Sequence, residues 1–258
     1  MNAIDRVFSQ NRPLLVTYLT AGDPSPGASL NLFKALIAGG ADILEIGVPF
    51  SDPGADGPAI QQASERALAA GGNLQSAIEI ASQLPPEHPK VLFGYLNPFL
   101  AYGYEALAED CRNAGIHGVL CVDCPPEEEP EFRIALRQRD IHPILLASPT
   151  TPLDRVTTLA SEGGGFLYYV SMNGVTGGAV SAQEPLDQRL EAVRSAASIP
   201  VAVGFGVRTP GDVARLAPHA EAVVVGSALV RKVASHGEEA GPEIERLTKS
   251  LSEALATV

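Results

Sequence analysis

The chain has 258 residues, a net charge of −12 at pH 7 and 45% hydrophobic residues. That length fits one large domain or two small ones, and the apolar share supports a sizeable core. The negative charge argues against nucleic acid and anionic membranes as partners.

The N-terminus, Met1-Asn-Ala-Ile-Asp-Arg6, lacks the apolar core of a signal peptide, and no apolar run is long enough to span a bilayer. The cysteines, Cys111, Cys121 and Cys124, are an odd number and form no disulfide framework. A reducing cytoplasm is therefore expected. Cys121-Val-Asp-Cys124 has the C-x-x-C spacing. It lies along and just past an expected strand, not at a helix start, and no second pair completes a metal site.

Short apolar runs recur along the chain at residues 14–19, 43–48, 91–96, 118–122, 143–146, 166–170, 201–204 and 222–225. Helical spacing appears between most of them, at residues 30–38, 64–70 with 74–84, 104–114, 129–138, 153–161, 185–197 and 210–216. A last helical stretch, 242–256, closes the chain. Strands alternating with helices imply a parallel sheet. The number of strands fits a (β/α)₈ barrel, usually about 250 residues. A doubly wound open sheet is the alternative. No Pro/Ser linker divides the chain, so a single domain over residues 1–258 is expected, with an extra N-terminal helix.

The second run carries an unusual residue. Ile43, Glu45 and Gly47 share one face of that strand, and Leu44, Ile46 and Val48 share the other. Both faces are otherwise apolar or small, so Glu45 is expected to be buried, which is costly and raises its pKa. Such a Glu is either one half of an ion pair or a general acid/base at a strand end. The Pro- and Gly-rich loop that follows adds Asp52 and Asp56.

The loops after the strands are rich in Gly, Pro, Asp and Ser, and in a barrel that end holds the active site. Gly174-Val-Thr-Gly-Gly178, Gly204-Phe-Gly206 and Gly226-Ser-Ala-Leu229 follow late strands. Gly lets amides approach an anion, and a helix starting at Gly226-Ser227 aims its free N–H groups and dipole there. A phosphate site built mainly of amides follows, with Arg208 the nearest basic residue and more readily a surface Arg. The four lysines, Lys34, Lys90, Lys232 and Lys249, lie away from the C-terminal ends of the strands, where Schiff-base chemistry needs them. His88, His117, His142 and His219 precede strands, on the opposite end, and His236 is in a polar stretch. Neither a Rossmann fingerprint nor a P-loop is present. What remains is a reaction without metal or cofactor on a phosphorylated substrate, with carboxylates as proton carriers.

The motif Pro49-Phe-Ser-Asp-Pro-Gly-Ala-Asp-Gly-Pro58, with Thr20-Ala-Gly-Asp-Pro24, residues 165–177 and Val203-Gly-Phe-Gly206, resembles the tryptophan synthase alpha subunit family over nearly the whole chain. The resemblance implies a (β/α)₈ barrel that cleaves indole-3-glycerol phosphate to indole and glyceraldehyde 3-phosphate. It implies no cofactor and no metal, because the indole ring accepts electrons once protonated at C3. Carried over by position, Glu45 is the acid/base and Asp56 accepts the indole N–H. Tyr168 is the active-site Tyr of strand six, and Thr176 bonds the Asp. Gly177, Gly206 and Ser227 contact phosphate, flanked by Phe205 and Gly226. Tyr18, Phe93, Leu120 and Val224 line the indole pocket, positions that ordinary barrel packing explains equally well. The family also implies a beta-subunit partner in an α2β2 heterotetramer, met by loops containing Pro49, Asp52, Asn97 and Pro125. Three positions depart from the family: Met172-Asn173 follow Ser171 where some bacterial members have Arg, Tyr18 replaces a familiar Phe, and Cys124 a common aliphatic residue. Two further readings stand beside this one: a free-standing lyase, and a non-catalytic activator of a beta partner that the intact Glu45–Asp56 pair disfavours. Another phosphate-binding barrel enzyme, such as a sugar-phosphate isomerase, leaves the 49–58 motif unexplained.

Overall fold

The computed structural model describes residues 1–170, 185–204 and 206–256. Its strands are β1 (Leu14–Thr20), β2 (Ile43–Gly47), β3 (Lys90–Gly94), β4 (Gly118–Cys121), β5 (His142–Ala147), β6 (Leu167–Val170), β7 (Val201–Gly204) and β8 (Ala222–Val225). Each pairs in parallel with the next, and β8 closes on β1 with Leu14 opposite Ala222 and Val16 opposite Val224. The sheet is therefore a closed barrel, not a doubly wound open sheet.

The helices are α1 (Ala3–Phe8), α2 (Pro26–Ala38), α3 (Pro58–Ala69), α4 (Leu74–Ser82), α5 (Leu96–Tyr102), α6 (Tyr104–Asn113), α7 (Pro130–Arg137), α8 (Leu153–Glu162), α9 (Leu186–Ala196), α10 (Pro210–Leu216), α11 (Ser227–His236) and α12 (Gly241–Leu255). Several begin on local chemistry. Ser25 accepts an amide of α2 ahead of Pro26. Asn73 with Ser76 and Thr209 with Asp212 form reciprocal caps on α4 and α10. None of the described helices is long and apolar enough to cross a membrane.

Side-chain alternation divides the core into two layers. Inward residues Leu14, Val16, Ile43, Val91, Leu120, Ile144, Phe166, Ala202, Ala222 and Val224 fill the barrel. Helix α1 plugs its N-terminal end, placing Ile4 and Val7 in that layer and Phe8 5.8 Å from the Phe166 ring. Gly118 makes room for the plug, because a Cβ there meets Ile144 at 2.8 Å and Ile4 at 3.0 Å. Outward residues such as Leu15, Leu44, Leu92, Val119 and Leu145 pack under the helices.

Three expectations are corrected. The run 91–96 is not all strand: β3 stops at Gly94 and α5 begins at Leu96. Asp123, from the loop after β4, accepts the Leu96 N–H at 2.8 Å, so a distant carboxylate starts that helix. His142 is the first residue of β5 and bonds Asp5 of α1 at 2.8 Å. Lys90 belongs to β3 and is fully buried; its ammonium donates to the carbonyls of Ala81 (3.0 Å), Pro85 (3.3 Å) and Ala114 (3.0 Å). Burial lowers its pKa to about 8, but it sits at the end of the barrel opposite the site.

Candidate active site

Glu45 is the middle residue of β2, with Tyr18 of β1 and Val91 of β3 as its Cα partners. Inward registry places its carboxyl inside the barrel, and the residue is 1% exposed. Its Oε1 finds no hydrogen-bond partner among the described residues. Burial pushes its pKa up to about 8, and no cation among the described residues offsets it. The ion-pair reading of Glu45 thus has no partner among the described residues. A carboxyl that titrates near neutral pH is suited to giving and taking a proton.

Asp56 approaches from the loop between β2 and α3. Its Oδ2 accepts the Tyr95 hydroxyl at 3.0 Å, and that hydroxyl accepts the Ala55 N–H at 3.1 Å. Gln61, one turn into α3, donates to the Asp56 carbonyl at 2.9 Å. Phe50 lies against the Tyr95 ring, centroids 5.1 Å apart. Burial raises the Asp56 pKa to about 6, and the Tyr95 bond opposes that rise. Tyr95 was missed in the sequence, although the signal was present: Val91, Phe93 and Tyr95 share one face, so Tyr95 is the next inward position above Phe93.

Two more tyrosines converge on the carboxyls. Tyr168 of β6 lies over Gly204, where an added Cβ stands 2.5 Å from its hydroxyl. Burial drives its ionisation far upward, and the charges of Glu45 and Asp56 add to that. Tyr18 shows the same shift, from burial first and then Asp56. Phe93 meets Tyr18 edge to face at 5.3 Å. Leu120 and Val224 are buried in the barrel-filling layer beneath. The structure therefore brings Glu45, Asp56, Tyr18, Phe93, Tyr168, Leu120 and Val224 to one end of the barrel.

Of the residues expected on the anion side, Gly206, Gly226 and Ser227 are described. Gly206 has φ +80°, a conformation that favours glycine. Gly226 precedes α11, where a Cβ comes within 3.2 Å of the Tyr18 Cβ. Among the described residues no side chain caps α11, so its first amides, from Ser227 on, have no side-chain acceptor there. Arg231, one turn along, donates to Ser227 Oγ at 3.3 Å, which puts a guanidinium beside the start of α11. Arg231, not the expected Arg208, is the basic side chain seen against Ser227, and its i, i+4 spacing from Ser227 was the available signal. Thr176, Gly177 and Phe205, with Met172 and Asn173, lie outside the described residues.

Around the rim, Asp52, Asn97 and Pro125 are exposed, but Pro49 is buried. Asn97 lies in α5 and not in a loop. Cys121 and Cys124 are free and buried. Burial raises both thiol pKa values, which disfavours the reactive thiolate.

The family profile described as "Tryptophan synthase alpha chain" matches residues 4–257. The chain is 46% identical over 258 residues to the tryptophan synthase alpha chain of Novosphingobium aromaticivorans, covering 99% of this chain and 97% of that one. It is 42% identical over 262 residues to that of Laribacter hongkongensis, covering 99% of each. Among solved structures it is similar to tryptophan synthase subunit alpha from Legionella pneumophila, with TM-score 0.89, 34% identity and 100% of both chains covered. It is also similar to a chain of tryptophan synthase from M. tuberculosis in the aminoacrylate-bound form, with TM-score 0.88, 32% identity, and 99% and 100% covered. This chain, a closed barrel with a desolvated Glu45 and a tethered Asp56 at one end, is matched over its length in sequence and shape and belongs to the tryptophan synthase alpha chain family.

Proposed function

We propose that Glu45 carries the proton transfers and Asp56 stabilises the positive charge in this chain's reaction. The chain is a carbon–carbon lyase of tryptophan biosynthesis that cleaves indole-3-glycerol phosphate to indole and glyceraldehyde 3-phosphate. Protonated Glu45 gives its proton to indole C3, leaving positive charge on the ring nitrogen. Asp56, ionised above a pKa of about 6, accepts the N–H and stabilises that charge. Glu45, now a carboxylate, takes the proton of the hydroxyl on the carbon attached to the ring. The bond between that carbon and C3 breaks, its electron pair returns to the ring, and the aldehyde leaves. The protonated ring is the electron sink, so no cofactor or metal is invoked.

Tyr168 closes the pocket beside the two carboxyls, and Phe93, Leu120 and Val224 supply apolar walls. Gly206, Gly226 and Ser227 hold the phosphate; Thr176, Gly177 and Phe205 are assigned to the same site by resemblance. The observation that carries this reading is a buried Glu45 whose Oε1 has no partner among the described residues, with its pKa pushed up to about 8.

As a tryptophan synthase alpha chain it works in complex with a beta subunit. We infer an α2β2 assembly that docks at the active-site rim through Asp52, Asn97 and Pro125, with the buried Pro49 shaping that rim, formed in the cytoplasm by a chain that is one barrel domain over residues 1–258. Indole release from indole-3-glycerol phosphate, followed while purified beta subunit is titrated, tests both parts. Binding with raised turnover is expected. High turnover without binding means a free-standing lyase, and binding without lyase activity in either state means a non-catalytic activator.

A further inference from the structure

Tyr18 reaches between the two ends of the site. It is the inward residue of β1 above Val16, and Glu45 is its Cα partner on β2. Its Cβ packs on Gly226 at the head of α11, where a Cβ comes within 3.2 Å. Its ring turns edge-on to Phe93. Its hydroxyl lies over Gly47, where any side chain collides with it. One side chain thus runs from the end of β8, where the anion cradle begins, to the end of β2, above Glu45.

The ring alone meets the packing need, so the hydroxyl is the feature to account for. The residue is 4% exposed. The hydroxyl's contact with Thr20 Oγ1 is 3.3 Å, long for an O–H···O bond. Burial, reinforced by the charge of Asp56, keeps the phenol protonated, so at neutral pH it retains one O–H, which is free for a further acceptor when Thr20 is the donor of their contact. A buried donor of this kind needs an acceptor.

We propose that the Tyr18 hydroxyl donates to a hydroxyl on the three-carbon arm of the phosphorylated substrate and selects hydroxylated arms over plain ones. The inference rests on the functional reading above. The arm must run from the cradle at Gly206, Gly226 and Ser227 to a ring beside Glu45 and Asp56, and Tyr18 follows that route. Resemblance alone gives Tyr18 an indole-lining role; the ring serves that role against Phe93, and the hydroxyl serves the arm.

The test compares sn-glycerol 3-phosphate with n-propyl phosphate as inhibitors of indole release, in wild type and Tyr18→Phe. The two probes share phosphate and chain length and differ only in hydroxyls. Tyr18→Phe is expected to weaken glycerol 3-phosphate about five- to tenfold while propyl phosphate holds within twofold. Unchanged propyl phosphate inhibition also shows that the variant is folded. Equal losses for both probes, or no loss for either, overturn the inference and leave Tyr18 a packing residue. If wild type releases no indole from indole-3-glycerol phosphate, the functional reading falls and this inference falls with it.

Discussion

The Tyr95 hydroxyl holds Asp56 Oδ2 at 3.0 Å while accepting the neighbouring Ala55 N–H at 3.1 Å. Tyr95 stands at the end of β3, on the barrel, whereas Asp56 and Ala55 belong to the loop after β2. One hydroxyl therefore fixes the loop's carboxylate to the rigid scaffold through two bonds. It also stabilises the ionised form of Asp56, against the burial that raises its pKa.

Removing that hydroxyl tests its role. Tyr95→Phe takes a donor from the carboxylate, so the Asp56 pKa rises above about 6. The acid limb of the kcat/KM–pH profile is expected to move to higher pH. Turnover at neutral pH is expected to fall about 10- to 100-fold, the range for a lost hydrogen bond to a charged group. An acid limb that stays in place overturns the link.

Glu45→Gln is expected to cut turnover by at least about 10²–10⁴-fold, since one group carries both proton transfers. A variant keeping a tenth of wild-type activity contradicts the assignment. The same substitution has a stability signature. The folded pKa of about 8 lies above the unfolded value, so the folded state holds the extra proton between roughly pH 4.5 and 8. Glu45's contribution is therefore full below the unfolded pKa and is lost as pH rises through 8. Thermal melts of Glu45→Gln are expected to exceed wild type at pH 8, with the gap closing toward pH 4.5. A gap independent of pH argues against a desolvated Glu45.

Arg231→Gln removes the guanidinium that leans on Ser227 Oγ. Its field acts on the dianionic phosphate through solvent, so the effect is modest and screened. KM for indole-3-glycerol phosphate is expected to rise about two- to fivefold at low salt, and less at 0.5 M salt. Identical KM values at low salt remove Arg231 from the cradle.

Lys90→Met probes the opposite end of the barrel. The ammonium joins the carbonyls of Ala81, Pro85 and Ala114, and the residue is fully buried. Its loss leaves buried acceptors unpaired and is expected to cost about 2–4 kcal/mol of stability. Denaturant melts measure that cost. Turnover per folded molecule is expected to hold at low temperature; a selective fall in kcat assigns Lys90 a part in the chemistry.

Periodicity determined the strands and most helices, because alternation and helical spacing are written in neighbouring residues; the Gly-, Pro-, Asp- and Ser-rich loops pointed to the end proposed for the chemistry. The apolar faces around Glu45 already required a desolvated carboxyl. The resemblance in residues 49–58 named the reaction. What neighbouring residues cannot encode was decided by distance across the barrel. Helix α5 starts at Leu96 because Asp123 reaches its amide from another loop. Lys90 enters β3 because three carbonyls from two other segments receive it. Tyr95 meets Asp56 across 39 residues of chain, and Tyr18 lies between Gly226 and Gly47 only when β8 closes on β1. These contacts join segments far apart in sequence, so they exist only once the barrel closes; the sequence alone supplies the groups but not their meeting.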